Sequence, residues 1–343
     1  MKVKYIVDCE VKEELLEILK FLKINNVSNN NIFICCPESI YPSEHDSYVG
    51  LKYSSVNPRA LNKIKQLLIL FYAVLRFKPG ILFSGYPMLK HRLISLCLFN
   101  KVKHYSYLRG LFADSSNFKG YSDKLFLMLR KSKVIKKIGN FQCDKIFTVS
   151  EVNKKFLLER DVSEERIFGI PPLWLLDLKS TVRAKNSRVI YFVTQAFASH
   201  SCPEAAESQC LFLNELIKEF KSRNLELVIR KHPRDYTSYS IDDNVSIDDR
   251  PNYEFLEGIK SQDVLISPFS TLAFEASYLH ATVLFYSTPE LDALYGNAYK
   301  KINAKVFNAP VSVTEFIFSN EYLNKASVCP DMFYSRTDYP PVL

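Results

Sequence analysis

Glycine is scarce. The chain has 343 residues and only nine glycines, at 50, 80, 85, 110, 120, 139, 169, 258 and 296. No G-x-G-x-x-G or G-x-x-x-x-G-K-[ST] spacing occurs among them. Dinucleotide cradles and P-loops need glycine where the backbone approaches a phosphate, so neither mechanism is expected. Long apolar runs are also missing. The charge-free stretches 24–37 and 189–203 are short and rich in polar residues, whereas a bilayer-crossing helix needs ~20 mostly apolar ones. The first apolar run breaks at Asp8 with no small-residue cleavage pattern after it, which argues against a secretory leader. The eight cysteines contain no C-x-x-C pair, and adjacent Cys35 and Cys36 make a poor metal pair. They read as reduced, buried thiols in a cytoplasmic protein, and neither a metal nor a cofactor is expected.

What is present is a large apolar complement. The composition is 47% hydrophobic and 24% charged, with 25 Phe and 20 Tyr. That is enough for two cores, and the length suits two domains of ~150–170 residues. Short apolar runs alternate with stretches of helical periodicity almost throughout. In the first half, strands are expected at 2–8, 31–36, 81–84, 103–108, 145–149 and 166–170. Helices are expected at 12–22, 58–77, 89–99, 122–139 and 151–160. A second series follows, with strands at 189–194, 225–230, 245–247, 264–267 and 282–286, and helices at 203–223, 253–260 and 270–279. The fold class is therefore α/β, with two doubly wound Rossmann-like domains facing across a cleft. Residues 1–172 form the expected acceptor-binding domain, 173–187 a linker and 188–318 a nucleotide-sugar-binding domain. Residues 319–343 form a C-terminal segment packing back on the first domain.

Three loops after predicted strands of the second half carry the chemistry. Thr194 and Gln195 end the first of these strands and can bond a ribose, a base or a substrate hydroxyl. Arg230, Lys231, His232, Pro233 and Arg234 put four cationic or cationisable side chains within five residues at the end of an apolar strand. A strand running into such a cluster is costly without a facing anion. Ser267 ends another strand, and Ser270 and Thr271 open the helix after it, where free amides and the helix dipole favour an anion. Glu275, a turn further in, can accept from a ribose diol. Each feature also has a plain structural reading: a polar loop, a basic surface turn, an ordinary N-cap.

The sequences RKHP (230–233) and DVLISPFSTLAFEA (263–276) together resemble the C-terminal half of bacterial GT-B glycosyltransferases. The likeness is greatest to sialyltransferases, polysialyltransferases and capsule Kdo and pseudaminic acid transferases. In those groups an HP motif and a Ser/Thr motif bind the CMP phosphate and cytidine, and His232-Pro233 and Ser270-Thr271 match them. ATVLFY (281–286) is similar to a segment of teichoic-acid CDP-glycerol polymerases. Residues 143–172 (CDKIFTVSEVNKKFLLERDVSEERIFGIPP) resemble the acceptor domain of such enzymes. The resemblance implies inverting transfer of a CMP-activated ulosonic acid to a growing surface glycan of capsule, O-antigen or lipooligosaccharide type, or retaining transfer, as in other GT-B families, if no first-domain acid is needed. No D-x-D stands in a suitable loop and the basic loop can replace a cation, so no metal is expected. His232 would serve both binding and catalysis.

The acidic D/E-D/E-G motif that supplies the base in those groups is missing here. Asp114, in YSYLRGLFADSS (105–116), is the expected base, with Asp8, Glu44, Asp46 and His104 as rivals; a carboxylate or imidazole must take the acceptor proton. His91 and Arg109 are candidates to position an acceptor or a donor carboxylate. The segment 124–137 holds Lys124, Arg130, Lys131, Lys133, Lys136 and Lys137 without an acid. It is either a basic helix resting on the inner face of an anionic membrane or a solvated cationic face. The formal net charge of +8 is mild and no nucleic-acid motif accompanies it, so no nucleic-acid partner is expected. The alternatives to CMP-sugar transfer are a UDP- or GDP-sugar transferase, an epimerase or CDP-glycerol-type phosphotransferase on the same scaffold, and a non-catalytic assembly protein.

Overall fold

The computed structural model of the protein describes residues 3–42, 48–54, 59–85, 90–91, 93–94, 101–109, 143–159, 161–178, 188–200, 202–239, 243–302, 304–319 and 333–334. They fall into two compact units. The first takes the described residues up to Trp174, with Tyr334, and the second those from Leu175 to Phe333.

The first unit is built on β1 (Tyr5–Asp8), β2 (Ile32–Pro37), β3 (Val49–Tyr53), β4 (Ile81–Ser84), β5 (Lys103–Leu108), β6 (Lys145–Thr148) and β7 (Ile167–Gly169), in the order β3-β2-β1-β4-β5-β6-β7. Every neighbouring pair is parallel. The second unit repeats the plan with β8 (Ile190–Val193), β9 (Leu227–Arg230), β10 (Val245–Asp248), β11 (Val264–Ser267), β12 (Thr282–Tyr286) and β13 (Val306–Phe307), in the order β10-β9-β8-β11-β12-β13. Its pairs are parallel as well. Parallel strands covered on both faces need continuous apolar sequence, and β8, β11 and β12 are buried at every position. In each sheet the chain winds outward from the first strand and then resumes on its other side. This places topological switch points between β1 and β4 and between β8 and β11, where doubly wound sheets bind ligands.

Aromatic rings fill both cores. In the first unit Phe147 lies 4.7 Å from Phe21 and 5.8 Å from Phe83. In the second, Tyr286 lies 4.2 Å from Phe212 and 5.2 Å from Phe192. Among the described residues, elements with a strong apolar pattern lie where the sequence places them; the expected helix 122–139 and most of the expected helix 89–99 lie outside the described residues. Weaker ones were not anticipated. In β3 (VGLKY), Gly50 and Lys52 interrupt the apolar pattern, and the strand is formed by pairing at the sheet edge with β2. The helix Pro289–Ile302, β13 and the helix Pro310–Phe318 were also missed. The last buries Val313, Phe316 and Ile317 in the second core. At the head of the expected linker, Leu173 and Leu175 are buried, so the chain is packed there. Tyr334 joins the first unit: its N–H donates to the Val149 carbonyl and its hydroxyl to Glu151. Its ring covers Gly169, where a Cβ would overlap it.

Replacing Phe147 with Ala should cost about 3–5 kcal/mol, the usual range for a buried phenylalanine. Trp174 is the only tryptophan and lies in the first unit. Its fluorescence in urea therefore reads that unit, and a loss below ~1 kcal/mol would contradict the packing described.

Candidate functional site

Strands β9, β8 and β11 lie side by side and run the same way, so the loops after them share one edge. Thr194 organises that edge. It is fully buried. Its N–H donates to the Arg230 carbonyl at 3.0 Å. Its Oγ1 accepts the His232 N–H at 3.0 Å, and its hydroxyl donates to the Asp235 carboxylate. Asp235 also accepts from the Tyr239 hydroxyl at 2.6 Å and the Thr237 N–H at 3.1 Å. Burial pushes the Asp235 carboxyl up, but the hydrogen bonds from Tyr239, Thr194 and Thr237 outweigh it and hold the group below its ordinary value. Gln209, on the helix Pro203–Ser222, closes the network. It accepts from the Gln195 N–H at 2.9 Å and donates to the Gln195 carbonyl and the Tyr239 hydroxyl.

This network holds the His-Pro turn in place. The Asp235 N–H donates to the His232 carbonyl, and the Arg234 N–H donates to His232 Nδ1 at 3.1 Å. An accepting Nδ1 assigns the proton of the neutral ring to Nε2. Thr194 and Gln195, expected as ligand contacts, are thus engaged in positioning the loops, Thr194 by its hydroxyl and Gln195 by its backbone. The Lys231 ammonium lies 5.8 Å from the centre of the Tyr239 ring.

Arg230 departs from expectation. Expected to face a phosphate, it is 1% exposed. Its guanidinium donates to the Asp248 carbonyl and to Asn252 Oδ1, and it sits over the Phe255 ring at 4.9 Å. The anion that offsets its burial is the neighbouring carboxylate of Asp248, at 3.7 Å.

On the β11 side, Ser267 is buried and its hydroxyl has no hydrogen-bond partner among the described residues. Ser270 is the N-cap of the helix Thr271–Tyr278, with extended backbone, yet its side chain makes no capping bond. The first-turn amides therefore lack the cap that a serine ordinarily supplies. The preceding loop is pinned by Phe269, whose N–H donates to the Tyr299 hydroxyl at 2.9 Å. That hydroxyl in turn donates to the Tyr286 carbonyl. Glu275, expected at a ribose, lies on the buried face of the same helix, 3% exposed.

The first unit has its own buried cluster at the end of β1. Asp8 Oδ2 lies 2.7 Å from both Lys90 Nζ and His91 Nε2. The rings of His91 and His104 are 5.0 Å apart, and His104 Nε2 is 2.9 Å from Ser84 Oγ. Burial pushes the Asp8 carboxyl up, but the Lys90 ammonium and the bond to His91 outweigh it and hold it below its ordinary value. A carboxylate so stabilised is a weak base, which counts against Asp8 as the proton acceptor. His91, expected to meet an acceptor, is 1% exposed and committed to Asp8. The Arg109 guanidinium lies over the Trp174 ring at 4.5 Å. Asp114 and the basic segment 124–137 lie outside the described residues. Among the described residues, no group of three or more His, Cys, Asp or Glu is placed to hold a metal ion.

Sequence reasoning missed Gln209, Asp235 and Tyr239. The available signal was Gln209, a polar residue on a stripe with Ala205, Phe212, Leu213 and Leu216 that is buried in the structure.

No protein-family model matches the sequence, and a comparison with curated proteins finds no match. Solved structures do match. A UDP-GlcNAc 2-epimerase from Methanocaldococcus jannaschii, in complex with UDP-GlcNAc and UDP, aligns with a TM-score of 0.63 at 14% identity, covering 98% of this chain and 97% of that one. The UDP-GlcNAc 2-epimerase from Neisseria meningitidis bound to UDP-GlcNAc aligns at 0.64 and 13%, with the same coverage. A glycosyltransferase from Rickettsia africae aligns at 0.55 and 14%, covering 96% of this chain and 90% of that one. The chain has the α/β fold of these GT-B-like proteins, with two doubly wound parallel sheets. No helix among the described residues is long and apolar enough to cross a membrane.

The Asp235→Asn variant should lower thermal stability at neutral pH, by about 1–3 kcal/mol for a broken buried network. A depressed folded-state pKa stabilises above the unfolded value of ~3.9 and loses that contribution as pH falls through the folded value. The melting-temperature gap between variant and wild type should therefore be widest at neutral pH and narrow below about pH 4. A gap that widens in acid would overturn the assignment.

Proposed function

We propose that the protein is a nucleotide-sugar-dependent glycosyltransferase whose second unit holds the donor's phosphate between His232 and the first turn of the helix Thr271–Tyr278. One observation carries this reading: an uncapped helix N-terminus and a rigidly held His-Pro turn stand on one edge, at the ends of β11 and β9. Two strand spacings separate those ends, about 10 Å. Nucleotide sugars bound to structural relatives support the substrate class. Lys231, His232, Pro233, Ser267, Ser270 and Thr271 are the proposed donor contacts, and Thr194, Gln195 and Arg230 act as their supports. Donors aimed at the departing phosphate stabilise charge where it develops.

The match of His232-Pro233 and Ser270-Thr271 to the sialyltransferase-like motifs favours a CMP-activated ulosonic acid as donor. The proposed acceptor is a surface glycan, with Asp114 as base and Arg109 beside the acceptor or the donor carboxylate. A second reading is epimerisation of a sugar on its nucleotide, favoured by the likeness to UDP-GlcNAc 2-epimerases over nearly the whole chain.

A thermal-shift series with CMP, CDP, UDP, GDP and UDP-GlcNAc separates the readings. Stabilisation by CMP alone supports the CMP-sugar transferase. Stabilisation by UDP and UDP-GlcNAc but not CMP moves the donor to a UDP-sugar, and conversion of UDP-GlcNAc without any acceptor then favours the epimerase over a transferase; no shift with any nucleotide overturns both. The His232→Ala variant should weaken the stabilising nucleotide by roughly 10- to 150-fold, the equivalent of one hydrogen bond to a charged group. The Asp114→Asn variant should keep nucleotide binding and lose transfer by at least ~100-fold. Retained turnover would remove Asp114 as base.

A further inference from the structure

We propose that the outer face of the helix Arg59–Phe77 rests on the surface of an anionic phospholipid bilayer. The inner face of this helix is committed to the first sheet. Gln66, Leu70, Ala73 and Val74 are buried, and Phe77 packs on Phe33 with ring centres 4.3 Å apart. The opposite face is apolar too. Ile64, Leu68, Tyr72 and Leu75 are 54%, 62%, 58% and 48% exposed. At 100° per residue these four positions fall within an arc of about 80° and span about 16 Å of helix. A water-facing helical surface is ordinarily polar, and large apolar side chains gathered in one stripe mark a contact surface.

Charge identifies the occupant. By helical position Lys65 and Arg76 border the stripe, and Lys78 follows the helix. No acid occurs in the helix at all. The asymmetry extends well beyond it. Residues 47–143 contain 18 Lys+Arg and two Asp+Glu, a formal +16, whereas the rest of the chain has 27 against 35, or −8. The overall +8 conceals this division. A second copy of the chain on this face would bring the Lys65, Arg76 and Lys78 charges of both copies together with no acid on the helix to offset them. A nucleic acid would match the charge but gain little from Ile64, Leu68 and Leu75. A bilayer with anionic headgroups suits both features. The apolar side chains enter the headgroup–acyl boundary, Tyr72 sits at interface depth, and the Lys and Arg stems reach the lipid phosphates. The contact lies along the surface, since no described helix is long and apolar enough to span.

Co-sedimentation of the full chain with vesicles of phosphatidylcholine, with and without phosphatidylglycerol, tests this. Binding should require phosphatidylglycerol, with at least ~10-fold preference, and weaken between about 0.1 M and about 1 M salt. Leu68→Glu combined with Tyr72→Glu should reduce it by at least ~10-fold, while circular dichroism and the thermal shift with nucleotide stay as in wild type. Leu68→Ala with Tyr72→Ala is the gentler pair should the glutamates disturb folding, and it should give a smaller loss. Lys65→Glu with Arg76→Glu should also weaken binding. Several outcomes overturn the proposal: no pelleting with either vesicle; equal binding by the stripe variants; binding to polyuridylate that the stripe variants leave unchanged, without vesicle binding; or a dimer that the stripe variants dissociate, without vesicle binding.

Discussion

The hydroxyl of Thr194 is the contact on which the candidate site depends. At the end of a parallel strand the backbone leaves its ladder, and its polar groups need new partners away from water. Thr194 supplies them with one oxygen, accepting the His232 N–H while donating to Asp235. That couples the loop after β8 to the loop after β9. Tyr239 and Gln209 then tie the same loops to the helix Pro203–Ser222. Valine would keep the shape of Thr194 and lose both bonds, leaving the half-buried His232 amide and the buried Asp235 carboxylate short of a partner. The direction of the Asp235 shift follows from the same geometry, because three donors outweigh the cost of desolvating its carboxylate.

Both units bury a charge at the end of a strand, and both neutralise it locally. Arg230, at the end of β9, is held by Asp248, Asn252 and the face of Phe255. Asp8, at the end of β1, is held by Lys90 and His91. Removing one partner of such a group leaves an uncompensated buried charge, which is why these pairs constrain the local fold even where their net stabilisation is small. They also redistribute the chemistry. With Arg230 turned inward, an anion at the proposed site would meet Lys231, the imidazole of His232, serine and threonine hydroxyls and helix amides.

Much of the fold was legible because buried parallel strands need unbroken apolar runs, and β8, β11 and β12 are such runs. The edge strand β3 was not legible, since Gly50 and Lys52 leave it without a pattern and its pairing with β2 supplies the order. The same holds for β13, two residues long. In the site, the His-Pro turn and the Ser-Thr helix start were visible as residues after apolar strands. The direction of each side chain was not. Strand alternation says that Arg230 and Lys231 point to opposite faces, but not which face already holds a carboxylate. The network of Gln195, Gln209, Asp235 and Tyr239 spans three separate segments, and neither spacing nor composition brings such residues together.

Scarce glycine and this buried polar network belong together. A glycine-rich loop binds a phosphate with backbone amides that come close because no side chain intervenes. A chain without such a loop must reach the anion with side chains and with the first turn of a helix, and those donors act strongly only when their directions are set beforehand. In the proposed role, the hydrogen bonds running from Gln209 through Tyr239 and Asp235 to Thr194 and His232 provide that setting for one side of the site. Tyr299, which receives the Phe269 N–H and donates to the Tyr286 carbonyl, provides it for the other. In that proposed role, the preorganisation that a glycine loop obtains from backbone conformation comes from side-chain hydrogen bonds anchored in the helices Pro203–Ser222 and Pro289–Ile302.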